Sequence, residues 1–133
     1  MKKIHLVFGY SFFILFLGTG LYMESNFPDL YHEQEEVRMM FRSTHIYLLM
    51  AALINISAAN NIAAINVSFL RYCNFFASLL LLTAPVILFA AFIVEPAGYL
   101  IDRPLTIYGI WFMLIGVVVG NLLKSQWLSR IAT

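Results

Sequence analysis

The stretch Pro28–Asn55, PDLYHEQEEVRMMFRSTHIYLLMAALIN, turns from acidic and water-seeking to continuously apolar, with no Gly or Pro after its first residue. One unbroken run that changes solvent predicts a helix that starts in water and enters a membrane near Ser43. Pro28 suits a first helical turn, and Ser25 and Asn26 are helix-cap types. Asp29, Glu33, Glu35 and Glu36 lie where negative charge complements a helix N-terminus. The second helix is therefore expected to extend outside the membrane, with residues 24–42 as an outward polar segment.

Composition sets the solvent for the rest. Of 133 residues 62% are hydrophobic and 11% charged, and the mean hydropathy is +0.84. Soluble domains carry about 25% charged residues, so lipid must surround most of these side chains. Apolar runs at about 4–23, 43–59, 69–94 and 105–123 predict four spans in a single membrane domain, 1–133. The first run follows Lys2-Lys3 and outlasts the roughly 7–15 apolar residues of a signal peptide, so it reads as an uncleaved span. Asn60–Ser68 reads as a short connection, and Tyr99–Pro104 as a loop after the Glu95-Pro96-Ala97-Gly98 stop. Pro85 inside the third span predicts a kink. Lys124, Trp127 and Arg130 suit a helix end anchored at the interface.

Charge gives the orientation. Four spans put Lys2, Lys3, Arg71, Lys124 and Arg130 on one side, with no acid. Arg38, Arg42 and Arg103 fall on the other, with all of Glu24, Asp29, Glu33, Glu35, Glu36, Glu95 and Asp102. Five Lys and Arg against three place both termini in the cytoplasm, in a plasma membrane or bacterial inner membrane. Short loops between antiparallel neighbours then predict an all-α integral membrane protein, an up-down antiparallel four-helix bundle. Gly116-Val117-Val118-Val119-Gly120 is a G-x-x-x-G, equally compatible with packing inside the bundle and between chains. The single Cys73 excludes an intramolecular disulfide and a thiolate metal cluster, and a net charge of +1 gives no argument for nucleic acid.

The candidate chemistry gathers at the outward boundary. Tyr31, Glu35, Arg38, Arg42, His45 and Leu49 recur at spacings of 4, 3, 4, 3 and 4, one stripe on a helix. Its cations, acid and imidazole fit an anionic headgroup, a quinone oxygen or a partner's carboxylate. The plain alternative pairs Glu35 with Arg38, lets Arg42 snorkel to headgroups and gives His45 a hydrogen bond to a neighbouring loop. Glu95, Asp102 and Arg103, from the other outward loop, are expected to complete a ligand site with Arg38, Arg42 and His45. His32 with Glu36 is the local metal pair, because His32 and His45 lie thirteen residues, about 20 Å, apart along an unbroken helix. His5 and His45 belong to opposite membrane faces and cannot ligate one haem iron. No catalytic residue stands out, and Cys73 lacks an evident base other than His5.

The Arg entry to the second span is similar to that of the membrane glutathione-transferase and eicosanoid-synthase family. There an Arg-Ala-x-x-Asn-x-x-Glu motif opens the second helix. Here Arg42-Ser43-Thr44-His45-Ile46-Tyr47-Leu48-Leu49 keeps the Arg but has Ile46 and Leu49 for Asn and Glu, so the family is not assigned. The expected function is that of an accessory or interaction subunit of a larger membrane assembly, among membrane lipids and beside a membrane-protein partner or further copies of itself. The alternative is a membrane protein that binds a metal or lipid-soluble molecule, with or without catalysis, at the Arg/His/acid cluster. No cofactor is specified by the residues.

Overall fold

Apolar runs of this length fold as helices. The computed structural model describes residues 1–61 and 68–131. They form α1 (Lys2–Leu30), α2 (Glu35–Asn61), α3 (Ser68–Ala97) and α4 (Pro104–Ile131), with no strand among the described residues. Each contains a segment long and apolar enough to cross a membrane: Lys2–Asp29, Glu35–Ala59, Phe69–Ala97 and Pro104–Lys124. The heart of the expected connection, residues 62–67, lies outside the described residues, as do the side chains of Trp127 and Arg130.

The first boundary differs from expectation. Pro28 does not open α2; it sits in the last turn of α1, and α2 begins at Glu35. Lacking an N–H, Pro28 leaves the Glu24 carbonyl without its helical donor, and α1 ends two residues later. The chain turns instead at 31–34, where Gln34 N–H donates to the Tyr31 carbonyl at 3.1 Å. Arg38 N–H then donates to the Gln34 carbonyl at 3.1 Å, the first turn of α2. Aromatic packing fixes the turn: Tyr31 lies 6.1 Å from Phe27 on α1 and 5.4 Å from Phe41 on α2, centroid to centroid. The acidic segment is thus divided between two helices, and only Glu35 and Glu36 occupy a first helical turn. The single helix expected to run from Pro28 into the second span does not form.

Close approach governs the helix pairs. A Cβ on Gly109 would stand 2.7 Å from Leu88 Cγ, and one on Gly116 2.8 Å from Leu81 Cγ. Both pairs of positions are seven apart, so Leu81 and Leu88 seat into α4 where it lacks side chains, at coiled-coil spacing. Between α1 and α2, Gly9 plays the same part against Ile56 Cγ1, at 2.5 Å from a notional Cβ. Gly120, by contrast, faces open space. The G-x-x-x-G therefore contributes one glycine to packing inside the chain. α3 packs most extensively against α4, α1 against α2 and α2 against α3, with lesser contacts of α2 with α4 and α1 with α3, while among the described residues α1 and α4 do not meet.

Pro85 explains one polar bond in this apolar interior. Lacking N–H, it leaves the Leu81 carbonyl without its helical donor. Asn55 Nδ2, buried on α2, donates to that carbonyl at 2.8 Å and to the Ala51 carbonyl at 3.0 Å. Asn55 Oδ1 in turn accepts from His5 Nδ1 at 2.7 Å. A chain of hydrogen bonds so ties α1 to α2 to α3.

Candidate functional site

Arg38, Arg42 and His45 share the face of α2 toward α1, whereas Tyr31 lies in the turn before α2. His45 Nδ1 shares a hydrogen bond of 2.9 Å with Thr19 Oγ1, and the Thr19 hydroxyl also lies 2.8 Å from the Phe16 carbonyl, to which it can donate. The imidazole stacks on Phe16 with centroids 4.1 Å apart and planes 21° apart. Gly20 admits the ring, since a Cβ there would lie 3.3 Å from His45 Cε1. The partner of His45 is thus helix α1, not a loop. One and two turns nearer the start of α2, Arg42 and Arg38 line a groove with Met23, Glu24, Phe27, Pro28 and His32. The Arg42 guanidinium lies over the Phe27 ring at 5.8 Å. Arg38 is half-buried, and its Nε is enclosed without a hydrogen-bond acceptor. Among the described residues neither arginine forms an ion pair, so Glu35 does not neutralise Arg38.

Glu95 and Arg103 assemble elsewhere. Glu95 is fully buried, and its Oε1 accepts from the Thr106 backbone N–H at 2.8 Å and its Oε2 from the Thr106 hydroxyl at 2.6 Å. Thr106 is the third residue of α4, so a carboxylate from α3 occupies one orphan donor and the positive end of the next helix. Arg103 Nε stands 3.5 Å from Glu95 Oε2. Its other nitrogens donate to Ser43 Oγ at 2.6 Å, Thr44 Oγ1 at 2.5 Å, Thr106 Oγ1 at 3.1 Å and the Met40 carbonyl at 3.4 Å. One guanidinium therefore clasps α2, α3 and α4. Its backbone is strained for this, with φ 49°.

The expected union of Arg38, Arg42 and His45 with Glu95, Asp102 and Arg103 does not occur. At about 100° per residue, Met40, Ser43 and Thr44 lie on the side of α2 away from Arg38, Arg42 and His45. Arg103 reaches the former and cannot also reach the latter. Asp102 and Glu35 are exposed.

The 98–103 turn is fastened to α2 a second time. Leu100 N–H donates to the Glu95 carbonyl at 2.9 Å and Tyr99 N–H to the Pro96 carbonyl at 3.3 Å, a Schellman end with Tyr99 in the left-handed position at φ 50°. The Tyr99 hydroxyl donates to Glu36 Oε2. This bond to a carboxylate, and the repulsion between that charge and a phenolate, raise the Tyr99 pKa above its ordinary value. Glu36 is thus engaged by Tyr99, while His32 lies exposed on the rim of the groove. Among the described residues no group of three or more His, Cys, Asp or Glu side chains gathers at metal-binding distance. His5 is used by Asn55, its Nε2 buried without a partner, and Cys73 is a half-buried free thiol.

Sequence reading missed Thr19, Ser43, Thr44 and Thr106. A hydroxyl in an apolar run satisfies itself on the carbonyl three or four residues back, as Ser43 and Thr44 do on Met40. Its second role as an acceptor leaves no mark in the sequence. No protein-family model, curated protein or solved structure matches this chain.

Proposed function

We propose that the four helices span a membrane in up-down order, with both termini cytoplasmic, and that the protein is an accessory subunit of a larger membrane assembly. The topology is supported by end-to-end pairings. His5 near the start of α1 meets Asn55 near the end of α2, and Tyr99 and Arg103 between α3 and α4 meet the first turns of α2. These pairings agree with the segregation of acids and bases along the chain.

The subunit reading is carried by one observation: the interior polar groups serve to join helices. His5 and Asn55, His45 and Thr19, and Glu95 with Arg103 and Thr106 each bridge two helices or more. A side chain already occupied in this way is not poised over a substrate. The open array, with α1 and α4 apart, leaves both flanks for lipid or for neighbouring helices.

The test is purification of the tagged full-length chain from its native membrane in mild detergent, with native mass measurement. A stoichiometric membrane-protein partner or a homo-oligomer is expected; a lone monomer would sink the subunit reading. A reporter fused after Thr133 is expected in the cytoplasm, and an external signal would overturn the topology.

A further inference from the structure

We propose that the groove between the end of α1 and the start of α2 holds the headgroup of an anionic phospholipid, its phosphate on Arg38 and Arg42. The groove measures about 360 Å³. Its two arginines are four residues apart on one helix face, so their guanidinium groups stand as neighbours. Among the described residues neither has a carboxylate partner. The enclosed Arg38 Nε lacks any acceptor, a state that a buried donor pays for unless an anion fills it. Arg42 is held by the face of Phe27, which steadies the guanidinium while leaving its N–H groups free to donate. Planar forks of this kind match the oxygens of a phosphate.

The apolar side of the groove points to a lipid in preference to a free ion. Met23, Phe27 and Pro28 line it with apolar surface that inorganic phosphate would leave uncovered. An amphiphile covers both parts: phosphate at the arginines, glycerol and upper acyl chain on the apolar residues. Glu24 lines the same groove, and its negative charge opposes a dianion more than the single charge of a phosphodiester. His32 adds a further donor on the rim. The site rests on the helices spanning a membrane, which would set this groove where α1 and α2 leave the apolar layer.

The experiment uses the full chain in nanodiscs of mixed phosphatidylglycerol and phosphatidylcholine, with retained lipids counted by native mass spectrometry. The wild type is expected to retain phosphatidylglycerol preferentially. Arg38→Gln with Arg42→Gln is expected to reduce that retention by about tenfold, the order expected for losing charge-assisted bonds. Arg71→Gln, an exposed arginine on α3, is expected to leave it unchanged. Absence of preference in the wild type, which needs no variant, overturns the proposal. So does an equal loss with Arg71→Gln. Inorganic phosphate that raises the melting temperature of lipid-free protein through the two arginines, without any lipid preference, reassigns the groove to a free ion. A carboxylate-bearing partner chain that co-purifies and releases the lipid reassigns it to a protein. Labelling of Glu33→Cys, in a Cys73→Ala background, by a membrane-impermeant maleimide on intact cells reports the topology separately. Lipid counts decide the site and labelling decides the membrane reading, so the two failures are distinct.

Discussion

A buried carboxylate inside an apolar helix pair is stable only in company, and Glu95 has two hydrogen bonds from Thr106 and the guanidinium of Arg103. The pair is asymmetric, with Glu95 enclosed and the Arg103 side chain 22% exposed. Removing the arginine alone strands a buried charge, whereas replacing both charges does not. Arg103→Ala is expected to destabilise the protein by about 3–5 kcal/mol. Glu95→Gln with Arg103→Met is expected to be milder than Arg103→Ala alone. Thermal unfolding in detergent measures both, and equal losses would show that the ion pair is not what holds the three helices. At this scale the sequence was least legible. Glu95 and Arg103 were recognisable as candidates, but their partners were threonines and a serine whose type is ordinary in membrane helices. The face on which Arg103 lands was open to helical-wheel arithmetic. The choice between the two faces was set by tertiary packing.

Among elements, α3 carries the most informative irregularity. Pro85 frees the Leu81 carbonyl and Asn55 supplies the donor, so a local defect of one helix becomes a bond to another. This makes the two positions energetically dependent. Asn55→Ala is expected to destabilise by about 1–3 kcal/mol, since it leaves Leu81 O and His5 Nδ1 unpaired. In a Pro85→Ala background the helix regains its own N–H for Leu81, and the added loss from Asn55→Ala is expected to shrink. Strict additivity in that double-mutant cycle would show that the two positions are independent. That a proline stood inside the third span was legible in the sequence. That Asn55 answers it required knowing which turn of α2 faces which turn of α3. The start of α2 was misplaced for a related reason. Pro28 fits both the first turn and the last turn of a helix, and the aromatic contacts of Phe27, Tyr31 and Phe41 decide between them.

Among the described residues the helices pack chiefly in a row, α1 on α2, α2 on α3 and α3 on α4, with only small contacts of α1 with α3 and α2 with α4. Separate interfaces imply separate energies. Gly9→Ala presses on Ile56 and the Ala52 carbonyl, and Gly116→Ala on Leu81 and the Ala77 carbonyl. Each is expected to destabilise by about 1–3 kcal/mol, and the pair to add within about 0.5 kcal/mol. Gly120→Ala, which meets open space, is expected to lose far less. A large non-additive term between Gly9 and Gly116, read from detergent melts, would mean that the ends of the row communicate. The count and apolar character of the helices were plain from composition and run length. The openness of the array was not, because outward-facing and helix-facing positions are both apolar here.

The place of Arg103 in the chain also has a consequence in time. Glu95 and Arg103 are eight residues apart, on either side of one tight turn. At synthesis rates of about 5–20 residues per second, the counter-ion emerges within roughly two seconds of the carboxylate. The acid therefore never waits for a distant segment to be made. Ser43 and Thr44, which complete the arginine's shell, have by then already been synthesised. The last helix is thus born into a nearly finished site, needing only to close upon it.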